Sequence, residues 1–271
     1  MLLNPSKFSD PKTACLLLWQ EISFAAEKAK VTAKVSDNIK IKKARFICFY
    51  DTPTHEMYKL GYMLRRRQET PFADENEPEY ELAFKFRSGA ILESAAKYMT
   101  PVPPLKGETK LEEDVSLTRE KLKSIFSHSG EVEIETTMPL QLRHLADIFP
   151  GVADLALPLT TNMEIVNNMK ICEIRLIPGK LKFGGVSAKV VISLWYRGDT
   201  SVSVDSVTNK PIPWIAEVSF AYDITQTGFR AKSRRLALKE HSDLFAQILK
   251  DQLRAWISDG DSKTAKVYSG K

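Results

Sequence analysis

Two stretches of sequence decide the fold: FYDTPTHEMYKLGYMLRRR (residues 49–67) and YELAFKFR (residues 80–87). In the second stretch, tyrosine, leucine and phenylalanine alternate with glutamate, alanine, lysine and arginine. Period-two alternation of bulky and charged side chains is typical of a strand that lies between a core and a polar cavity. We therefore predict two paired strands, residues 62–69 and 80–87, joined by the polar, proline-bounded loop PFADENEPE (residues 71–79).

The two predicted strands concentrate positive charge on one face. Arg65 and Arg67 are two residues apart, which places their side chains on the same side of the strand with a rise of about 6–7 Å between them. Lys85 and Arg87 repeat this spacing on the neighbouring strand. Four cations on adjacent strands repel one another unless water or a shared anion surrounds them, and arginine forks match phosphate oxygens. The pattern predicts a phosphate-binding face, with a solvated edge strand as the alternative.

The rest of the chain predicts further strands around this pair and several helices. Strands are expected at residues 44–50, 110–115, 131–136, 170–177, 180–183, 188–197 and 214–224. Helices are expected at residues 11–30, 55–60, 119–126, 140–149 and 242–257. A strand through residues 16–24 is the alternative for the first helix, and Pro178-Gly179 is expected to form a turn.

No linker in the chain is long enough to require two independent domains. We expect one domain over residues 1–271, with a helical or extended segment over residues 1–43 and a polar, frayed tail over residues 258–271. Hydrophobic residues make up 43% of the chain and charged residues 27%, which excludes a disordered protein. The net charge of +5 favours anionic partners.

The cysteines and the apolar segments indicate the cellular compartment in which the protein is expected. Cys15, Cys48 and Cys172 are widely spaced and form no CxxC pair, so neither a disulfide framework nor a thiolate zinc site is expected. No apolar run approaches the roughly 20 residues that a membrane helix needs, and we recognise no secretion signal. A cytoplasmic protein without a membrane partner is the expectation.

The order of motifs along residues 44–88 resembles that of a known family. Tyr50-Asp51-Thr52-Pro53, then Gly61, then Leu64-Arg65-Arg66-Arg67 and Leu82-x-x-Lys85 are similar to the motifs of the CYTH family of triphosphate-tunnel enzymes. Over residues 108–257 the resemblance is one of architecture only. It implies an α+β fold, namely an antiparallel closed β-barrel of about eight strands with flanking helices, which is large enough to enclose one small ligand.

The resemblance also implies which cations hold the ligand. Arg65, Arg67 and Lys85 correspond by position to phosphate ligands, and Arg87 faces the same way just outside the matched motif. Arg175, in EIRLI, resembles an arginine on a strand in the second half of the family's barrel. The implied ligand is a triphosphate or a nucleotide, and the 5′ end of RNA is a further candidate.

The acidic motifs of the family are present only in part. Glu217, in AEVSF, resembles the start of the family's acidic E-x-E strand and is the expected catalytic and metal-binding carboxylate, but Ser219 stands where a second carboxylate is usual. The family's opening ExExK motif is not found, and QEISF (residues 20–24) is a poor substitute. Trp195 and Tyr196 stand where an aspartate is expected.

Two other acidic segments are candidates for the missing ligands. Glu131 and Glu133 alternate onto one face of EVEIE, as Glu112 and Asp114 do in KLEEDV, and a solvated strand face is the alternative for both. Magnesium or manganese takes oxygen ligands, commonly one or two carboxylates together with phosphate oxygens and water. We expect Mg²⁺ or Mn²⁺ at Glu217 and these four residues, with Glu21 as a distant option.

These patterns favour one function and leave two others open. The leading hypothesis is a metal-dependent hydrolase of a triphosphate-containing substrate, such as inorganic triphosphate, a nucleoside triphosphate or an RNA 5′-triphosphate. The first alternative is a non-catalytic phosphate-binding module of the same fold that has lost the N-terminal acidic motif. The second is a structural protein whose tunnel is filled by side chains.

Overall fold

A computed structural model describes most of the chain. It covers residues 1–69, 80–117, 122–135, 138, 140–198, 212–222, 232–258, 260 and 262–270. The predicted loop 71–79 lies outside the described residues, as do residues 119–121, 136, 223 and 224 at the ends of three predicted elements.

Strands dominate the described part of the chain. The strands are β1 (Leu2–Leu3), β2 (Thr32–Asp51), β3 (Tyr62–Glu69), β4 (Tyr80–Ser88), β5 (Gly107–Leu117), β6 (Leu122–Ile134), β7 (Glu164–Ile165), β8 (Ile171–Phe183), β9 (Val186–Arg197) and β10 (Ile215–Ala221). The α-helices are α1 (Pro11–Lys28), α2 (Glu56–Lys59), α3 (Ile91–Ala95), α4 (Leu142–Ala146), α5 (Lys232–Gln252) and α6 (Lys263–Ser269). Short 3-10 helices span Pro5–Phe8, Pro150–Leu155 and Val166–Asn168.

The strands form one antiparallel sheet, so the α+β class is confirmed. Its order is β1-β10-β9-β8-β2-β3-β4-β6-β5, and β7 pairs with β2. Among the described residues no ladder of hydrogen bonds joins β1 to β5, so the closed barrel that we predicted is not confirmed. The reason is that the outer edge of β1 is already occupied: Leu3 forms a bridge with Ile257, and Asn4 N donates to Trp256 O at 2.7 Å.

Helix α5 connects the edge strand β5 to the second half of the sheet through side chains. Lys239 of α5 lies 3.1 Å from Glu113 of β5, at one edge, while the same helix packs on β8 through the core. Helix α5 therefore crosses from the second half of the sheet to its last strand. None of the described helices combines the length and the apolar character needed to span a membrane.

Alternation along the strands separates an outer from an inner face. On the outer face, α1 and α5 cover β8, β9 and β10, with Leu18 and Phe245 buried between them. The 3-10 helix Pro150–Leu155 and α4 cover β3, β4 and β6 around Phe84. The opposite surface, which we call the inner face, carries Arg45, Arg65, Arg67, Glu81, Lys85, Arg87, Lys110, Glu112, Asp114, Glu131, Glu173, Arg175 and Glu217.

Several predicted elements differ from the structure. The helix expected at 119–126 is a strand from Leu122 onward, because pairing with both β4 and β5 overrides a local helical pattern. Pro178-Gly179 does not form a turn but lies inside β8, next to a bulge. A Cβ on Gly179 would come within 2.5 Å of the Trp19 ring, so the glycine permits a close approach of α1 to the sheet.

The two ends of the chain are more ordered than expected. The first helix is observed as α1, and the alternative strand through residues 16–24 is wrong. The tail after residue 258, expected to be frayed, contains α6. Val267 and Tyr268 of α6 are buried against Phe49 and Met63 at one end of the inner face, which explains why the segment is helical.

Candidate functional site

The YDTP motif holds the turn that leads into β3. The carboxylate of Asp51 is fully buried and accepts hydrogen bonds from the backbone N–H groups of Thr52 at 2.7 Å, Met57 at 3.0 Å and Tyr58 at 3.0 Å. Gly61 follows with a φ of +85°, and a Cβ there would lie 3.0 Å from the carbonyl oxygen of Arg87. This part of the motif is therefore structural: it sets the position of β3 beside β4.

Arg65 and Arg67 of β3 project onto the inner face, where glutamates meet them. Arg67 Nη1 donates to Glu81 Oε1 at 2.6 Å, and Arg65 Nη2 lies 3.6 Å from Glu131 Oε1 and 3.9 Å from Glu81 Oε1. Burial is the main reason why the pKa of Arg65 is lowered, and the charge of Arg67 lowers it further. In the described part of the chain, the buried Nε groups of both arginines have no hydrogen-bond acceptor.

Lys85 and Arg87 of β4 occupy the same face one strand further on. Lys85 Nζ lies 3.4 Å from Glu112 and 3.7 Å from Asp114, and Arg87 Nη2 lies 3.5 Å from Asp114. Burial lowers the pKa of Lys85, although the two carboxylates raise it. Arg87 Nη1 also lies 3.4 Å from Thr264 Oγ1, so α6 reaches the cations of β4.

The second half of the sheet contributes an ion pair that the sequence analysis did not identify. Arg45 of β2 forms a salt bridge with Glu173 of β8, and Trp195 Nε1 donates to Glu173 Oε1 at 2.8 Å. Arg175 lies on the same face two residues further along β8, and burial lowers its pKa. Period-two alternation was the sequence signal that could have placed this pair on the inner face. Glu173 precedes Arg175 by two residues on β8, and Arg45 precedes Phe49 by four residues on β2.

Glu173 predicts a pH dependence of stability. Burial raises its pKa, but Arg45, Lys263 and the Trp195 N–H lower it by more, to about 2 from the usual 4.5. The contribution of Glu173 is therefore complete above pH 4.5 and is lost as the pH falls towards 2. In urea titrations at a series of pH values, Glu173→Gln is expected to be less stable than wild type at pH 7.

As the pH is lowered from 4.5 to 2, the free energy of unfolding of the same variant is expected to fall less steeply than that of wild type. Glu240→Gln, at an exposed position of α5, serves as the control and should follow the wild-type curve. Parallel curves for wild type and Glu173→Gln over this interval would contradict the assignment.

The predicted metal ligands do not converge on one point. Glu217 of β10 pairs with Lys263 of α6, and Glu131 pairs with Lys110 at 2.8 Å as well as with Arg65. Glu112 and Asp114 face Lys85, as described above, and Glu133 is an exposed residue of β6. Within the described ranges, no three His, Cys, Asp or Glu side chains are grouped so that they could hold a metal ion.

These contacts do not fit a resident divalent metal. Four of the five carboxylates predicted to coordinate the ion have a lysine or an arginine as counterion, namely Glu112, Asp114, Glu131 and Glu217. Glu217 also has no second carboxylate beside it on β10. A divalent ion bound by oxygen ligands needs those same carboxylate oxygens. On the described part of the face, cations and anions alternate, and metal binding stays a prediction.

Comparisons with known proteins give only distant likenesses. No protein-family model and no curated protein sequence matches the chain. A solved structure of a candidate adenylyl cyclase from Hippeastrum, described as having a dominant triphosphatase activity, is 15% identical, with a TM-score of 0.45 over 94% of this chain and 91% of that one.

Two further structures are less similar. A candidate adenylate cyclase from Bacillus halodurans is 10% identical, with a TM-score of 0.35 over 91% of this chain and 90% of that one. A protein from Pyrococcus horikoshii OT3 is 13% identical, with a TM-score of 0.32 over 84% of each chain. Because all three TM-scores are below 0.5, these likenesses carry no argument for what this chain binds, and the CYTH similarity remains a resemblance of motifs.

Proposed function

We propose that the inner face binds the triphosphate group of a polyanionic ligand through Arg65, Arg67, Lys85 and Arg87. The observation that supports this proposal is the set of hydrogen-bond donors that the three arginines leave without acceptors. The Nε–H groups of all three arginines are buried and, in the described part of the chain, donate to no protein acceptor. A buried donor without an acceptor is costly, and phosphate oxygens would satisfy these groups.

The ion pairs around the cations are consistent with an exchangeable ligand. Lys85 and Arg65 lie 3.4–3.9 Å from their carboxylates, which is longer than a charge-assisted hydrogen bond of about 2.7–2.9 Å. The side chains of Glu112 and Asp114 are also about half exposed, at 47% and 44%. At Lys85, a ligand with several negative charges therefore competes with loosely held, partly solvated carboxylates, whereas Arg67 is held by Glu81 at 2.6 Å.

Hydrolysis of the bound triphosphate is a second candidate function, and one observation favours it. Glu81 and Glu131 both lie within 4 Å of the same nitrogen of Arg65, so two carboxylates flank a predicted phosphate ligand. One or two carboxylates together with phosphate oxygens can hold Mg²⁺. In this candidate function the metal enters as part of the substrate, and Glu217 remains the predicted catalytic carboxylate.

A calorimetric series tests the proposal. We expect tripolyphosphate, ATP and a 5′-triphosphorylated RNA oligonucleotide to bind the wild-type protein with one site per chain, and affinity to fall as salt is raised. Pyrophosphate and monophosphate are expected to bind more weakly, because they reach fewer of the four cations. Equal affinity for monophosphate and tripolyphosphate, or no binding of either, would contradict the proposal. Phosphate release from the bound ligands in magnesium, manganese or EDTA tests the second candidate separately.

A further inference from the structure

Lys263 lies at the point where the resemblance would place a metal ion. It begins α6 and forms an ion pair with Glu217, and its Nζ lies 4.8 Å from the centre of the Trp195 ring. The side chains of Lys263 and Glu217 are 20% and 22% exposed, so the pair is largely withdrawn from solvent. Glu217 is the carboxylate that resembles the metal-binding strand of the CYTH family.

Helix α6 holds Lys263 in a defined position. Asn167 Nδ2 donates to the carbonyl oxygens of Val267 at 2.7 Å and Tyr268 at 3.1 Å, and Arg197 Nη2 donates to Gly270 O at 3.0 Å. Val267 is fully buried, and Tyr268 stacks on Tyr58 with ring centres 4.0 Å apart. Both ends of the helix are therefore fixed, because Ser262 Oγ also accepts from the N–H of Ala265 at the first turn.

Each of the two carboxylates on this part of the face, Glu173 and Glu217, has a cationic side chain as its partner. Glu217 forms an ion pair with Lys263. Glu173, which lies opposite Trp195 on the adjacent strand, forms an ion pair with Arg45. Position 219, two residues along β10 from Glu217, is a serine rather than a second carboxylate. One carboxylate needs one positive charge, which an ammonium group supplies.

The start of α6 also connects to the cations of the first half of the sheet. Thr264, the residue after Lys263, lies 3.4 Å from Arg87 Nη1 and contacts Met63. A lysine ammonium is a compact point charge with three donors. One of them serves Glu217, which leaves two donors for other acceptors.

We propose that the ammonium group of Lys263 takes the place of a divalent cation beside Glu217, so that this face binds a triphosphate without metal. The proposal rests on the proposed triphosphate-binding function and adds a phosphate ligand from α6 to the cations of β3 and β4. It assigns Glu217 to the orientation of Lys263 by its ion pair.

The test is calorimetry of the full chain with tripolyphosphate, in EDTA and in saturating magnesium. Wild type is expected to bind in EDTA, and magnesium should not tighten binding. Lys263→Met is expected to bind at least tenfold more weakly in EDTA, because it loses one charge-assisted contact. Magnesium should recover part of this loss, because the variant leaves Glu217 free to hold a metal ion together with the phosphate.

Two companion variants separate charge from folding. Lys266→Met removes the same charge one turn further along α6 and is expected to bind as wild type does. Lys263→Arg keeps the charge and should recover most of the affinity that Lys263→Met loses. Thermal unfolding of each variant checks that α6 remains docked.

The outcomes distinguish the two proposals. Wild type that binds only in magnesium would overturn the role of Lys263 and leave triphosphate binding intact, as would identical affinities for Lys263→Met and Lys266→Met. No binding by wild type in either buffer would overturn both proposals. If Lys263→Met does not fold, the comparison of wild-type binding in EDTA and in magnesium still decides whether the face binds triphosphate without metal.

Discussion

The double variant Arg65→Ala, Arg67→Ala is expected to bind tripolyphosphate at least a hundredfold more weakly than wild type. A hydrogen bond to a charged group contributes roughly 1.5–3 kcal/mol, so the loss of two contacts amounts to about 3–6 kcal/mol. Each 1.4 kcal/mol is a factor of about ten in affinity. The measurement is isothermal titration of tripolyphosphate into the purified protein at one fixed salt concentration.

Arg66 on the same strand supplies a matched control. Its guanidinium lies 5.6 Å from the centre of the Tyr80 ring, on the opposite face from Arg65 and Arg67. Arg66→Ala removes the same type of charge from the same strand and is expected to change the affinity less than threefold, because only long-range charge is lost. An unchanged affinity in the double variant, or an equal loss in Arg66→Ala, would contradict the assignment of the inner face.

Replacement of Asp51 by alanine is expected to lower the free energy of unfolding by about 3–5 kcal/mol. The buried carboxylate accepts hydrogen bonds from the N–H groups of Thr52, Met57 and Tyr58, and alanine leaves all three donors without an acceptor. Each unsatisfied buried donor costs about 1–3 kcal/mol. Unfolding in urea, followed by circular dichroism, measures the difference.

Asp51→Asn is the control for this prediction. The amide keeps one oxygen, which at the position of Oδ1 still accepts from Thr52 and Met57, so the loss should be clearly smaller than for alanine. A change below 1 kcal/mol in Asp51→Ala would show that water replaces the carboxylate, and the structural role of the YDTP motif would be wrong.

The cations of the inner face were predictable because their pattern is local. Alternation in two short strands placed Arg65, Arg67, Lys85 and Arg87 on one face, and the pairing of β3 with β4 in the structure brings the two strands side by side. Any strand with this alternation separates its faces in the same way. The prediction therefore required no knowledge of the rest of the fold.

The partners of these cations could not be predicted in the same way. Glu81, Glu131 and Asp114 meet the cations through the registers of β4, β6 and β5, which depend on how three strands align. The sequence also did not indicate that the registers place a lysine beside Glu112, Asp114 and Glu131, and metal binding by these carboxylates stays a prediction.

Helix α6 was missed because its signal is tertiary. Seven residues are too few for a stable helix by local propensity, and the segment KTAKVYS follows a polar stretch that indicates a loose tail. Burial of Val267 and the stacking of Tyr268 on Tyr58 stabilise it instead. The closed barrel is not confirmed for a related reason, because the segment after α5 occupies the edge of β1 in the described residues.

A crystal structure of the full chain with tripolyphosphate and manganese tests the central claim most directly. The account predicts a triphosphate on the inner face, with oxygens within 3.2 Å of Arg65, Arg67, Lys85 and Arg87, and no anomalous manganese peak beside Glu217. A triphosphate held elsewhere, for example by the exposed Arg235 and the half-buried Lys239 of α5, with the inner-face ion pairs unchanged, would contradict it.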